Sequence, residues 1–303
     1  MHQKLKSSVR VIGVPFRLGG NAQRSSVHKA PETLIAAGLL RSIAATGRRV
    51  HYEDLGVLLK PEPPHKDDDI VHHALHVRDT ICRVYVEVLR CLKTAFPLVL
   101  GGDHSIAAGS LLAALHHYKD DLRVVYFDQH FDANTAEESP SKNAHGMPLR
   151  LAFGEGDPRL LIDRDRKRYL KPEQVLHVGA YMKHVDPGEL AFFERLGIRY
   201  ISLDEIKRFG IESACAALGD FVADHAVWLS VDIDVTRAPG TGLPLPCGFT
   251  KQRMIELLHV TAKRGHIVGM DVVEYDTKND LPDEHGGFVT INYIDAIIQA
   301  ALV

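Results

Sequence analysis

The sequence predicts an α/β protein, a doubly wound three-layer α/β/α sandwich around a mostly parallel sheet. Three observations carry this. Short apolar runs alternate with amphipathic stretches along all 303 residues. Several runs are continuously apolar, as expected of strands whose two faces are both covered by helices. The resulting β-α-β-α order implies parallel strands joined by right-handed crossovers. The pattern alone leaves a closed β/α barrel as the alternative. No linker or internal repeat divides the chain, so one domain is expected over residues 1–303.

The elements read in order as follows. Val9–Phe16 (VRVIGVPF) is a buried strand, and Pro31–Thr46 a helix with proline in its first turn and Gly47 at its end. Arg48–Glu53 is a second strand. Lys60–Asp69 is a polar, proline-broken loop whose last aspartates can cap a long helix, Ile70–Thr94. Pro97–Leu100 is a strand, Ile106–Tyr118 a helix and Arg123–Phe127 a strand. In the second half, strand Val175–Ala180 leads to helix Pro187–Leu196, with Asp186 as N-cap. Strand Arg199–Ser202 precedes helix Ile211–Asp224, and strand Ala226–Ile233 precedes helix Lys251–Arg264. Strand His266–Val273 and helix Ile291–Ala301 complete the chain.

Composition excludes several classes. The chain is 45% hydrophobic and 25% charged, with Lys+Arg 36 against Asp+Glu 39 and a net charge of -3. That is neither disordered nor collagen-like, and it lacks the basic footprint of a nucleic-acid binder. No run approaches the ~18 apolar residues of a membrane span. The apolar stretch Val11–Val14 is too short for a signal peptide. Cys82, Cys91, Cys215 and Cys247 show no metal or disulfide spacing, so reduced thiols and a cytoplasmic location are expected. The 18 histidines prompt a search for a site.

Ligands of open parallel sheets bind at the carboxyl ends of strands, and three strand ends carry polar clusters. Gly101-Gly102-Asp103-His104-Ser105 follows the third strand. In Asp128-Gln129-His130-Phe131-Asp132, period-two spacing places Asp128, His130 and Asp132 on one side of an extended chain. In Ser230-Val231-Asp232-Ile233-Asp234 the two aspartates point the same way from a buried strand. Alone, the first is weak, since a histidine at such a turn is commonly a structural residue; the second has a solvated, aspartate-capped turn as its lesser reading; and one aspartate of the third could be a helix cap. Together they offer two histidines and four aspartates where unpaired charge is expensive. Oxygen and imidazole donors suit Mn²⁺, with Fe²⁺, Co²⁺, Ni²⁺ or Zn²⁺ also compatible. Six side chains exceed the needs of one open catalytic ion and fit a pair about 3.5–4 Å apart.

These three motifs, in this order and spacing, resemble those of the ureohydrolases, the family of arginases, agmatinases and formimidoylglutamases. The resemblance runs from Val11-Ile12-Gly13-Val14-Pro15 to the last helix. It implies a sheet of eight parallel strands, two Mn²⁺ ions, and a homo-oligomer, trimer or hexamer. It further implies that His104, Asp128, Asp132 and Asp232 hold one ion, and that His130, Asp128, Asp232 and Asp234 hold the other. His145, in Asn143-Ala144-His145-Gly146-Met147-Pro148, resembles the family's proton shuttle, and Glu274 the carboxylate that pairs with the substrate guanidinium. The stretch with Asn134, Ser139, Ser141 and Asn143 is similar to the arginase loop that binds the α-carboxylate of L-arginine. Asp186 and Glu189 resemble residues near its α-amino group, and Thr241 falls in the segment that flanks the substrate.

Three departures flank the pockets. Gln129 stands where the family usually has alanine. Val235–Gly242 is shortened and lacks an Asp-Pro pair, and Met182-Lys183-His184 lengthens the stretch before Asp186. The implied reaction is attack of hydroxide on a guanidinium carbon, with Asp128 orienting the hydroxide, Glu274 holding the cation and His145 protonating the departing amine. L-arginine is the leading substrate. Agmatine, guanidinobutyrate and formimidoylglutamate are alternatives, as is a metal-binding scaffold without catalysis. Zinc deacylases of related fold fit less well, because the paired aspartate clusters call for two ions.

Overall fold

A computed structural model describes residues 7–20, 25–56, 71–162, 168–242 and 244–302 of the chain. Its eight strands are β1 (Ser8–Gly13), β2 (Arg49–Asp54), β3 (Phe96–Leu100), β4 (Leu122–Phe127), β5 (Val175–Ala180), β6 (Arg199–Ser202), β7 (Ala226–Asp232) and β8 (His266–Val273). They form one open sheet in the order β2-β1-β3-β8-β7-β4-β5-β6. Every pairing between neighbours is parallel. The sheet has two free edges, so the barrel alternative is excluded. The expected eight-stranded parallel sandwich is what forms.

Ten α-helices are described. They are α1 (Ala30–Ala36), α2 (Leu39–Ala45), α3 (Ala74–Cys91), α4 (Ala107–Tyr118), α5 (Pro148–Ala152), α6 (Pro187–Leu196), α7 (Leu203–Phe209), α8 (Ile211–Val222), α9 (Lys251–Arg264) and α10 (Val289–Ala301). Alternate residues of one strand supply opposite layers, because side chains alternate across a pleated sheet. Val124 and Tyr126 of β4 pack with α3 to α6. Val125 and Phe127 of the same strand pack with α1, α2 and α7 to α10. The strand interiors are apolar on both faces because both layers are covered.

The departures from the expected elements have local causes. The single helix Pro31–Thr46 is two helices, because Gly38 takes φ 99° between them. Strand β1 ends at Gly13, just before Pro15, which has no N–H to give a ladder. The helix expected over Ile70–Thr94 is observed as Ala74–Cys91. Its loop Lys60–Asp69 and Ile70 itself lie outside the described residues. Two short helices, α5 and α7, were not anticipated, since one or two turns leave little periodicity to read. Among the described residues no helix is long and apolar enough to cross a membrane, and the four cysteines are free thiols.

Candidate metal centre

The four central strands, β3, β8, β7 and β4, are neighbours, and every metal-ligand candidate lies at or just after the carboxyl end of β3, β4 or β7. This is the crevice that parallel sheets offer where strand order switches. The turn after β3 is tight: a Cβ on Gly102 would lie 1.6 Å from the Phe16 carbonyl oxygen. Asp103 caps the next turn by accepting from the Ser105 N–H at 3.1 Å, which presents His104 at the first position of a 3₁₀ turn.

Two groups of donors result. His104 Nδ1 lies 3.1 Å from Asp128 Oδ2, 2.8 Å from Asp132 Oδ2 and 3.3 Å from Asp232 Oδ2. His130 Nδ1 lies 3.1 Å from Asp234 Oδ2 and 3.5 Å from Asp128 Oδ1. The ligand atoms of His104, Asp128 and Asp232, and those of Asp128, His130 and Asp234, are close enough to hold one ion each. Asp128 is the carboxylate common to both groups. Asp232 stands with His104, while its Oδ1 accepts the Asp234 N–H at 2.8 Å.

Strand alternation, expected to align Asp128, His130 and Asp132, is not what brings them together. Strand β4 ends at Phe127, and the convergence is made by a turn. The His130 N–H donates to Asp128 Oδ1 at 2.7 Å, and Asp132 adopts φ 53°. Glu274, after β8, adopts φ 61°. Left-handed backbone at non-glycine residues costs on the order of 1–3 kcal/mol and gathers at functional sites. At Glu274 it is held by the residue's own N–H, which donates to the Gly102 carbonyl at 2.9 Å.

Hydrogen-bond logic shows that a cation fits. Buried Asp271 accepts from Ser230 Oγ at 2.5 Å, from Trp228 Nε1 at 2.7 Å and from Ser110 Oγ at 2.7 Å. The Ser230 hydroxyl proton is therefore spent, so its oxygen accepts from His104 Nε2–H at 3.0 Å. That leaves the Nδ1 lone pair of a neutral His104 facing three carboxylates, an arrangement needing a proton or a metal ion between them. The pKa of His104 is accordingly raised: burial opposes its charge, but Asp128, Asp132 and Asp232 outweigh it. Asp128 Oδ2 is buried and receives no hydrogen bond. Burial, then Asp132 and Asp234, push its carboxyl up to about 7. Six ionisable donors without a thiol suit two hard or borderline divalent cations.

Above the donors opens a cavity of about 300 Å³, whose wall includes His104, His130, Asp132, Asp232, Asp234, His145 and Glu274. Among the described residues its lining contains no lysine or arginine. Asp128 lies beneath, fully buried. Of the expected substrate contacts, Asn134, Ser139, Ser141, Asp186, Glu189 and Thr241 reach the cavity. Asn143 does not line it; its N–H is turned to Ser141 Oγ at 3.3 Å. Glu189 is 2% exposed, and both its oxygens are taken by backbone, accepting from Ala133 N–H at 2.9 Å and Asp186 N–H at 3.0 Å. Burial pushes its carboxyl up to about 8. Asp186 Oδ2 accepts from Asn134 Nδ2 at 3.0 Å.

His145 Nδ1 lies 3.1 Å from Glu274 Oε1, and the same oxygen accepts the His104 N–H at 2.8 Å. Desolvation lowers the His145 pKa, but the Glu274 hydrogen bond and charge overcome it and bring it to about 9 in the chain alone. Cations bound nearby act in the opposite direction.

Sequence reasoning missed the supporting residues. Tyr126 donates to Asp132 Oδ2 at 3.0 Å and stacks on His104 at 4.8 Å. His177, fully buried with its pKa pushed down to about 4 by desolvation, holds the His130 carbonyl at 2.6 Å. Asp271 did leave a signal, a lone carboxylate inside the apolar run of β8.

The model of the arginase family matches residues 7–298. Arginase from Bacillus subtilis (strain 168) is 32% identical over 289 residues, covering 93% of this chain and 95% of that protein. Arginase from Bacillus caldovelox is 33% identical over 279 residues, covering 88% and 90%. The solved structure of the Bacillus caldovelox arginase matches with a TM-score of 0.87 at 29% identity, over 97% of this chain and 98% of that one. By sequence and by fold, the chain belongs to the arginase family.

Proposed function

We propose that the chain hydrolyses L-arginine to L-ornithine and urea with two divalent cations, Mn²⁺ for preference. The observation that carries this is the cavity itself: it is walled by carboxylates and imidazoles from four strand ends. Such a wall attracts cations, both metal and guanidinium. The neutral donors Asn134, Ser139 and Ser141 can accommodate the single carboxylate of L-arginine. The relatives named arginase support the same substrate.

His104, Asp128, Asp132 and Asp232 would hold one cation, and His130, Asp128, Asp232 and Asp234 the other. When bound, such a pair lowers the pKa of a shared water, making a nucleophile available at neutral pH. The rest is done by the chain. Glu274 accepts guanidinium N–H groups and neutralises their charge. Asp132, which faces the cavity, takes over the water-orienting role expected of Asp128, which does not reach the wall. Water oxygen adds to the guanidinium carbon, the bond from that carbon to the side-chain nitrogen breaks, and the nitrogen leaves as the ornithine amine. His145, paired with Glu274, supplies the proton this amine takes. The thiols and the ordinary charge balance support a cytoplasmic location, and the family resemblance a homo-oligomer.

The test is a substrate panel of L-arginine, agmatine, guanidinobutyrate and formimidoylglutamate with separate urea and formamide detection. L-arginine should give urea fastest. Formamide as the main product, or no turnover with any of several metals, would overturn the proposal. His145→Ala should lower kcat by roughly 10²–10⁴-fold, the usual contribution of a general acid, and added imidazole should restore part of it. An unchanged kcat would remove His145 from proton transfer. Asp186→Ala should reduce kcat/KM for L-arginine by roughly tenfold or more, since a hydrogen bond to a charged group contributes about 1.5–3 kcal/mol. Guanidinobutyrate, lacking an α-amino group, should lose less, and equal losses on both would refute the assignment.

A further inference from the structure

Gln129, in the turn after β4, and His184, in the stretch after β5, touch each other. Gln129 is fully buried. Its side chain bonds to Asp234, and its Oε1 lies 3.1 Å from His184 Nδ1. His184 belongs to the lengthened stretch before Asp186. It lines the cavity, and its ring stacks on that of His130 at 5.6 Å, 15° from parallel.

The donors and acceptors can be assigned. An ionised Asp234 only accepts, so Gln129 turns its amide nitrogen to Asp234 and its oxygen to His184. His184 must then carry its proton on Nδ1. The backbone closes the loop: Gln129 O accepts the Tyr181 N–H at 2.9 Å, and Tyr181 O accepts the His184 N–H at 2.7 Å. Asp234 is thus held through Gln129, and His130 is covered by His184. These are the two donors that distinguish the second group from the first.

We propose that Gln129 and His184 act as one clamp that positions His130 and Asp234 and sets the affinity of that half of the centre for its cation. The other half rests on different supports, Ser230 and Asp271 behind His104 and Tyr126 beside Asp132. The two cations should therefore bind with affinities that can be altered separately. Such outer hydrogen bonds are typically worth about 10–100-fold in metal affinity. The clamp rests on reading the site as a two-cation centre. It does not depend on which guanidino compound is the substrate.

The experiment is calorimetric titration of the metal-free full-length protein with Mn²⁺, comparing wild type, Gln129→Ala, His184→Ala and the double variant. His184 is exposed at the cavity, and Gln129→Ala removes side-chain atoms without adding any, so both variants should fold. Melting of the metal-free protein checks this. Each single variant should weaken one of the two binding steps by about 10–100-fold and leave the other within about twofold. The double variant should be no worse than the weaker single one, because the pair acts as a unit. Equal weakening of both steps, no weakening, or additive losses would overturn the clamp. Because no substrate is present, the two readings fail separately. Unequal, separable binding without urea release would sink the proposed function and spare the clamp. Urea release with unaltered titrations would do the reverse.

Discussion

Asp128→Asn should remove the ability to hold two cations and reduce urea release by roughly 10³-fold or more. Asp128 is the carboxylate shared by both donor groups. Its Oδ1 accepts the His130 N–H, and its Oδ2 faces His104 without a hydrogen bond. An amide in its place retains the first contact and aims a donor, instead of an acceptor, at the space between the groups. A metal pair contributes several kcal/mol to transition-state stabilisation, and ~4 kcal/mol corresponds to roughly 10³-fold in rate.

The same substitution should have an opposite effect on the metal-free fold. The Asp128 carboxyl is raised to about 7, first by burial and then by Asp132 and Asp234. A carboxyl whose folded pKa exceeds its unfolded value destabilises the fold increasingly as pH rises from about 4 through 7. Asparagine removes that burden. In chelator at pH 8 the variant should melt at or above wild type; with Mn²⁺ it should melt below. Melting scans with and without chelator, beside metal content, test this. A lower Tm in both conditions would mean that Asp128 holds the fold together irrespective of metal.

Glu274→Gln should lower kcat/KM by roughly 10²–10⁴-fold, because breaking a buried charge pair from one side costs about 3–5 kcal/mol. Glutamine keeps the shape and an acceptor for the His104 N–H, so the loss reports the missing charge. It should fall on L-arginine and agmatine alike, since both carry the guanidinium. A second signature lies in the pH profile. The Glu274 contact and charge are what raise His145 against desolvation. A proton donor fails as pH rises through its pKa, so with that charge gone the alkaline limb should move to lower pH. Loss confined to L-arginine, or an unmoved alkaline limb, would contradict the roles assigned to Glu274.

Much of this architecture was legible in the residues, for identifiable reasons. Strands β5 and β6 and helices α6 and α9 match the expected ranges, because apolar runs bounded by proline, glycine and capping residues leave little freedom at their ends. Gly38 was harder, since a glycine at helical spacing does not announce the left-handed turn that splits α1 from α2. The metal-ligand candidates were readable because six ionisable side chains ended apolar strands. What brings Asp128, His130 and Asp132 together was not, because it is a left-handed turn at Asp132 and not strand alternation. The braces were hidden for another reason. Tyr126, Trp228 and His177 read as ordinary core residues until the turn after β4 and the pairings of β7 with β8 and of β4 with β5 give each a polar partner. Gln129 and His184 stood out only as departures, and their contact spans 55 positions in sequence.

The central claim is that two cations, joined through Asp128, serve hydrolysis of L-arginine at this cavity. The most direct test measures urea and ornithine together while Mn²⁺ is added stepwise to the metal-free enzyme. Urea and ornithine should appear in equal amounts, and activity should saturate at two bound ions per chain. Saturation at one ion, or urea without an equal amount of ornithine, would contradict it.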